Sequence, residues 1–347
     1  MVIVTYYKSF EKVNHFVKRK DNIMVWRVFS CLSVFITHLA RVLDLKGSLK
    51  VVTDFGGYIA VYFFIAIAGY LAFAGYKDGM KAVDYWKKRA LKILPLYYLV
   101  ILYCYVVHTF ILGNVPPDET GLGWLRYIFF LSDIVPAGNA FWRNIYMTWT
   151  ICWIVLFYLA IPLIHRIVDS FNKALVFCAF SYIVYFFKGM LIGEWFNAIK
   201  GFFFLSVGIA VYFAIKEKKE KILITLFAWG TFFFLIQSAN KELTGIMLFG
   251  ILLLATDGLE LKDNIIKKAI SVVDRYTYEI YLIQGVVFTD IVWSRFTDNV
   301  IPAWIKIILV AVLCTAFFAI LVHELLRILI YDRVKKDSGP KIQEPAN

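Results

Sequence analysis

The sequence predicts an all-α protein, a polytopic integral membrane bundle of about ten transmembrane helices with both termini in the cytoplasm. Three observations carry this expectation. Of 347 residues, 61% are hydrophobic and only 18% charged, whereas soluble domains run near 45–50% apolar and about a quarter charged. The mean hydropathy is +0.71, far more apolar surface than one water-soluble core can hide. The basic residues, finally, alternate in density from one loop to the next.

The elements follow in order. Residues 1–22 hold Lys8, Lys12, Lys18, Arg19 and Lys20 and no apolar stretch, so they read as a cytoplasmic tail and not as a cleavable signal. Apolar runs then cover about 23–43, 56–76, 91–112, 146–166, 173–190, 200–215, 221–238, 243–257, 272–293 and 303–330, the eighth being the shortest against the roughly 20 residues a bilayer asks for. Residues 23–330 are thus expected to form one transmembrane domain, and 331–347 a second cytoplasmic tail. Segment 113–145, the longest outer connection, mixes Pro116, Pro117, Gly121, Gly123, Trp124 and Pro136 with the apolar Tyr127–Leu131, a pattern open to a re-entrant loop. With the N-terminus inside, 26 of the 37 Lys and Arg fall on inner segments and ten on outer ones, with Arg27 inside the first span. The net charge of +12 is therefore mostly a topology signal, and nucleic acid is not an expected partner; the lipid bilayer is. Cys31, Cys104, Cys152, Cys178 and Cys314 all fall within spans, reading as small buried apolar residues without a disulfide framework. No His, Cys or carboxylate spacing forms a metal signature.

Ionisable residues inside a span are functional candidates because they are costly there. The first span holds two, Arg27 and His38. Eleven positions at about 100° return to within roughly 20° of the starting face, with a rise of about 16 Å. Both side chains therefore look to one side of the bundle, Arg27 near the cytoplasmic end and His38 in the outer half. Snorkelling competes as a reading of Arg27, and a satisfied polar core residue as a reading of His38. His15, His108, His165 and His323 lie at span ends or in the tail, where interfacial placement accounts for them. Before the third span, Arg89 and Lys92 share a helical face, close to Pro95, which suggests a break or kink. A cationic cytoplasmic mouth suits the phosphates of a CoA thioester.

Five stretches together resemble the membrane-bound acyltransferase family 3, the O-acetyltransferases of cell-surface polysaccharides. They are Arg27 with His38 eleven positions on; Val61-Tyr-Phe-Phe-Ile-Ala-Ile-Ala-Gly-Tyr-Leu71; Arg89-Ala-Leu-Lys-Ile-Leu-Pro-Leu-Tyr97; Trp149-Thr-Ile-Cys-Trp-Ile-Val-Leu-Phe-Tyr-Leu159; and Tyr276-Thr-Tyr-Glu-Ile-Tyr-Leu-Ile-Gln284. Their order is collinear with the family's. The departures are Tyr62 for the second-span acid, Ala68 for a serine, Lys92 for the second arginine, Ile154 for the fourth-span glutamate and Gln284 for the late histidine.

The resemblance implies an enzyme of a bacterial cell membrane that moves an acyl group, acetyl by default, from cytoplasmic acyl-CoA to a hydroxyl of a surface polysaccharide or lipid-linked glycan. No resident cofactor is implied; acetyl-CoA or another acyl-CoA is a donor substrate, and polysaccharide synthesis machinery is a conceivable partner. His38 is the expected general base or transient acyl carrier, because imidazole is suited to accept a hydroxyl proton near neutral pH. Arg27 would meet the donor or the developing charge on its carbonyl, and Arg89 and Lys92 the CoA phosphates. Trp149 and Tyr281 would line the cavity, with ordinary packing as the competing reading. A glycan exporter explains the spans and the intramembrane Arg and His equally well, and a non-catalytic scaffold fits the lost acids; neither accounts for the collinear motifs.

Overall fold

The computed structural model describes residues 21–111, 113, 125–134, 147–193, 195–236, 241–292 and 303–331. The described residues form helices joined by turns, with no strand among them. In chain order they are α1 (Asp21–Val42), α2 (Gly47–Ala74), α3 (Ala82–Val106), α4 (Leu125–Ile128), α5 (Thr148–Ile167), α6 (Phe171–Ile192), α7 (Gly201–Lys216), α8 (Glu220–Ile236), α9 (Lys241–Ala255), α10 (Ile265–Arg275), α11 (Thr277–Val286) and α12 (Ala303–Leu326). The tails, most of 113–145 with its Pro and Gly signals, and the loop carrying Arg295 lie outside the described residues.

Seven helices among the described residues are long and apolar enough to cross a membrane: Asp21–Val42, Gly47–Ala74, Ala82–Ile111, Thr148–Ile167, Phe171–Met190, Asn197–Lys216 and Trp304–Ile330. The three remaining apolar runs also fold as helix but fall short of that length. Helices α8 and α9 have 17 and 15 residues. The run at 272–293 is interrupted at Tyr276, which ends α10 and begins α11. The interruption has a local cause. Helix α10 is strongly two-sided, with Ile265, Ile266 and Val272 exposed on one side and Asp274 buried on the other, so it cannot continue as a uniformly apolar rod. The Asn264 side chain caps its start, accepting from the N–H groups of Ile266 and Lys267. Lys267 Nζ meets Asp21 at 2.7 Å, which ties α10 to the start of α1 and raises the lysine pKa above its ordinary value.

The interior is aromatic and tightly closed: Phe157, Phe203, Phe204, Phe249 and Ile65 are fully buried. Outward, Phe180, Phe186, Trp229, Phe232, Leu313 and Phe317 are each more than half exposed. On a soluble protein so much exposed apolar surface would be a liability; against lipid it is the solvated face.

Helix α2 lies at the centre, between α1 and α7. It approaches α7 through reciprocal glycines. A Cβ on Gly69 would stand 2.1 Å from the Leu205 carbonyl oxygen, and one on Gly208 would stand 2.1 Å from that of Ala66. Small residues let two helix backbones touch in this way. Gly208→Val is therefore expected to destabilise by about 3 kcal/mol or more, the upper range of overpacking. Gly56→Ala, whose added Cβ meets nothing within 4 Å, should be neutral or slightly stabilising. Thermal melting of the two variants in detergent checks the contrast.

Pro95 does not break α3, which runs through it from Ala82 to Val106. In a membrane bundle side chains of other helices take up carbonyls that a proline disturbs; nearby, the Tyr278 hydroxyl donates to the Ile93 carbonyl at 2.9 Å. The described part of segment 113–145 is folded inward. Tyr127 is fully buried, the Tyr97 hydroxyl donates to its carbonyl at 2.6 Å, and Trp153 Nε1 of α5 donates to Asp133 at 2.5 Å. At the other end of the bundle, Glu217 accepts from the Phe171 N–H at the start of α6 and contacts Lys219 at 2.8 Å. The lysine and the N–H together hold this carboxyl below its ordinary pKa.

Candidate functional site

Near one end of the bundle a cavity of about 240 Å³ opens between α1, α2, α5, α9 and α11. His38, Arg41, Tyr62, Trp149, Glu242 and Tyr281 are on its wall. Three of the residues singled out by sequence, His38, Trp149 and Tyr281, are thus brought together from three helices. Gly57 also lines the cavity; a Cβ there would stand 2.1 Å from Thr37 Oγ1, so the lack of a side chain lets α2 pass one residue from His38.

The wall is fixed by polar contacts that point across helices. The Tyr281 hydroxyl shares a hydrogen bond with Thr150 Oγ1 at 2.8 Å and donates to the Met147 carbonyl at 3.3 Å, locking α11 to the start of α5. The Tyr281 ring stacks on Phe64 and the Tyr62 ring on Phe204. Trp149 packs edge-on against Trp153 at 4.6 Å between ring centroids. The Tyr185 hydroxyl of α6 donates to Glu242 Oε2 at 2.9 Å. Arg41 is about half exposed and faces Asp54 at 3.5 Å. The side chain of Gln284 lies within hydrogen-bonding reach of the His38 ring, and its Nε2 donates to the Tyr281 carbonyl at 3.2 Å. The glutamine that replaces the expected late histidine is therefore next to the imidazole.

Arg27 is placed differently. Its Nη2 is 2.6 Å from Asp274 Oδ1 and donates to the Asp274 carbonyl at 2.8 Å, with both side chains buried. The eleven-residue spacing does turn Arg27 and His38 to the same side, since one meets residue 274 and the other residue 284. Arg27 does not line the cavity; it latches α1 to the α10–α11 junction, where the Cys31 thiol also reaches the Thr277 carbonyl.

Arg89 and Lys92 are not on the cavity either. The Arg89 guanidinium lies over the rings of Tyr85 and Tyr158, at 5.0 and 4.8 Å, and donates to the Leu71 carbonyl at 2.9 Å. Lys92 is exposed. Beside them an open cleft of about 640 Å³ is lined by Lys77, Lys87 and Lys88, along with Asp78 and Asp84. Ala74, where α2 ends next to Lys77, is seventeen residues beyond Gly57, so along α2 the cleft and the cavity are about 25 Å apart at 1.5 Å per residue.

Several ionisable pairs were not anticipated. Interfacial placement is the wrong account of two histidines. His323 of α12 meets Glu279 of α11 at 2.7 Å, and His108 meets Asp290 at 3.4 Å, all four well buried. His108 and Asp290 both lie in π-turns that extend α3 and α11, where the wider turn re-aims side chains. Glu242 stands at the edge of a short apolar run and Asp274 among loop lysines, where the sequence marks neither as buried. Among the described residues no group of three His, Cys, Asp or Glu is arranged to hold a metal ion.

A family model described as an acyltransferase domain matches residues 21–323. No curated protein and no solved structure matches the chain.

Proposed function

Because the chain belongs to the acyltransferase-domain family, we propose that it is an integral membrane O-acyltransferase, carrying an acyl group, acetyl by default, from cytoplasmic acyl-CoA to a hydroxyl of a surface polysaccharide or lipid-linked glycan. The observation that carries this reading is the shared cavity: among the described residues one imidazole, that of His38, stands on its wall with a carboxylate and three aromatic side chains. His38 takes the proton of the acceptor hydroxyl as its oxygen attacks the thioester carbonyl. The C–S bond breaks, and the departing thiolate takes the proton from the His38 imidazolium. A covalent acyl-imidazole formed first, with release of the thiol, is the other route, the acceptor hydroxyl then attacking it.

The donor enters from the cleft at Lys77, Lys87 and Lys88, where three ammonium groups suit phosphate oxygens. Arg89 and Lys92 flank this mouth. The contacts of Arg89 support a role in holding α3 against α2, so that the lysines present their charges. An acyl carbonyl held there by its phosphates has to travel some 20–30 Å along the bundle, which suits a donor with a long flexible arm. Arg27 supports His38 by fixing α1 on the segment that bears Tyr281 and Gln284.

The test is transfer from radiolabelled acetyl-CoA by membranes with and without the protein, following label in glycan and lipid-glycan fractions. Succinyl-CoA serves as a competitor. Label that depends on the protein supports the reading, and competition ranks the acyl groups. No label from any acyl-CoA tried would retire it in favour of glycan export. Lys87→Ala with Lys88→Ala is expected to raise the acyl-CoA concentration for half-maximal rate about tenfold while leaving the acceptor dependence unchanged. A change in acceptor dependence alone would remove the donor from this cleft.

A further inference from the structure

We infer that the His38 cavity is a subsite for one uncharged sugar ring, with Trp149 as its stacking platform and Glu242 as the acceptor of its hydroxyl hydrogens. The inference rests on the acyltransferase reading for its link to catalysis, but the subsite stands on its own geometry.

Size comes first. At ~30 Å³ per water, 240 Å³ corresponds to about eight waters. That admits a single six-membered ring with its hydroxyls and is below the roughly 300–1,000 Å³ of pockets that enclose drug-sized ligands. The chain of an acceptor presents one unit inward, with the remainder outside at the half-exposed Arg41 end.

The wall chemistry sets the class. Sugar rings offer C–H groups on their faces and O–H groups at their edges. Trp149 is partly exposed and held at its edge by Trp153, so it supplies a flat apolar surface of fixed orientation. A carboxylate is an acceptor-only group with about four lone-pair positions. Glu242 bonds the Tyr185 hydroxyl at 2.9 Å, which fixes one oxygen and keeps the group aimed at the cavity. Hydroxyl donors to such a charge make the stronger kind of hydrogen bond.

Charge selection follows from the same residue. A uronate or phosphate on the inserted ring would face Glu242 at close range. The cation on the wall, Arg41, is half exposed and faces Asp54, so its charge is partly answered at the rim. Sequence gives the family's fourth-span glutamate position to Ile154, which is buried in the α3–α5 interior. Glu242, from α9, is the carboxylate on the wall of the cavity that holds His38.

The experiment is calorimetric binding of methyl glycosides to the full-length protein, purified in a detergent that contains no sugar. The probes are the methyl glycosides of glucose, galactose, mannose and N-acetylglucosamine, with methyl glucuronide as the anionic match to glucose. We expect saturable binding of at least one neutral probe and at least tenfold weaker binding of the glucuronide. Glu242→Gln should weaken the neutral probe about tenfold and shrink the discrimination against the glucuronide. Trp149→Leu should weaken all neutral probes together. Melting temperatures confirm that the variants fold; should Glu242→Gln not fold, Tyr185→Phe, which leaves the carboxylate but frees its orientation, is expected to weaken binding two- to fivefold. Absence of neutral binding, preference for the glucuronide, or an unchanged Glu242→Gln overturns the subsite. Sugar binding without any acyl transfer would retire the enzyme reading and leave the subsite in place; acyl transfer to an anionic ring would do the reverse.

Discussion

Membranes carrying His38→Ala are expected to transfer no measurable label from acyl-CoA to glycan, a fall of about 10²–10⁴-fold, the usual contribution of a positioned general base. The magnitude follows from how few substitutes the cavity holds. Among the described residues its wall holds no second imidazole, the side chain suited without large tuning to take a hydroxyl proton near neutral pH. The partner of the ring makes a second variant informative. Gln284 is within reach of His38 and anchored to the Tyr281 carbonyl, so Gln284→Ala should leave the imidazole in place but less well oriented. A five- to twentyfold loss in kcat, with the KM for acyl-CoA unchanged, is the expected signature. His38→Ala that is inserted normally and still transfers label would end the assignment of this residue as base or acyl carrier.

The second large effect lies at Arg27. Removing one partner of a buried ion pair leaves the other charge uncompensated, at a cost of about 3–5 kcal/mol. Arg27→Ala and Asp274→Ala are each expected to destabilise by that amount, read as lower folded yield and a lower melting temperature in detergent. Replacing both, Arg27→Met with Asp274→Leu, should recover most of the stability, because two apolar side chains of similar bulk leave no stranded charge. Activity then separates the roles. Should the double variant recover transfer with its stability, Arg27 acts by holding α1 in place. A stable double variant without transfer would put the guanidinium in contact with the donor.

Much of the architecture could be read before any coordinates, for definite reasons. Apolar runs the length of a bilayer are rare for any other purpose, so the ten runs mark helices even where α8, α9 and α11 fall short of crossing length. The spacing of Arg27 and His38 is a statement about helical angle, and the angle held: residues 274 and 284 receive them. The partners themselves were out of reach. Asp274 stands beside Arg275 and close to Lys267 and Lys268, and nothing in a linear chain separates a buried acid at a helix break from a solvated one in a basic loop. Glu242 begins a short run whose approach along the chain gives no periodic signal. His108 and His323 sit near span ends in the sequence, but π-turns and packing carry them inward. Arg89 is instructive in another way. Its neighbours in the chain suggest phosphate, yet Tyr158, far along the sequence, covers it and Leu71 binds it.

The interruption at Tyr276 also bears on how the chain is made. Helix α11 has ten residues, with Glu279 and Gln284 buried on it and Asp290 in the turn that follows. An acidic residue at the centre of an inserting helix costs about 2.5–3.5 kcal/mol, and so short a segment has few apolar residues to offset it. Its answering groups come from both directions along the chain: His38 is synthesised early, His108 later, and His323 only with α12. During biogenesis α11 therefore has no stable place in the lipid until α12, the most apolar of the long helices at a mean hydropathy of 2.8, has left the ribosome and delivered His323 to Glu279. Completion of the cavity, which needs Tyr281 at its wall, is in this sense a late event in synthesis: the translocation machinery must hold or re-admit α11 while the following helix emerges.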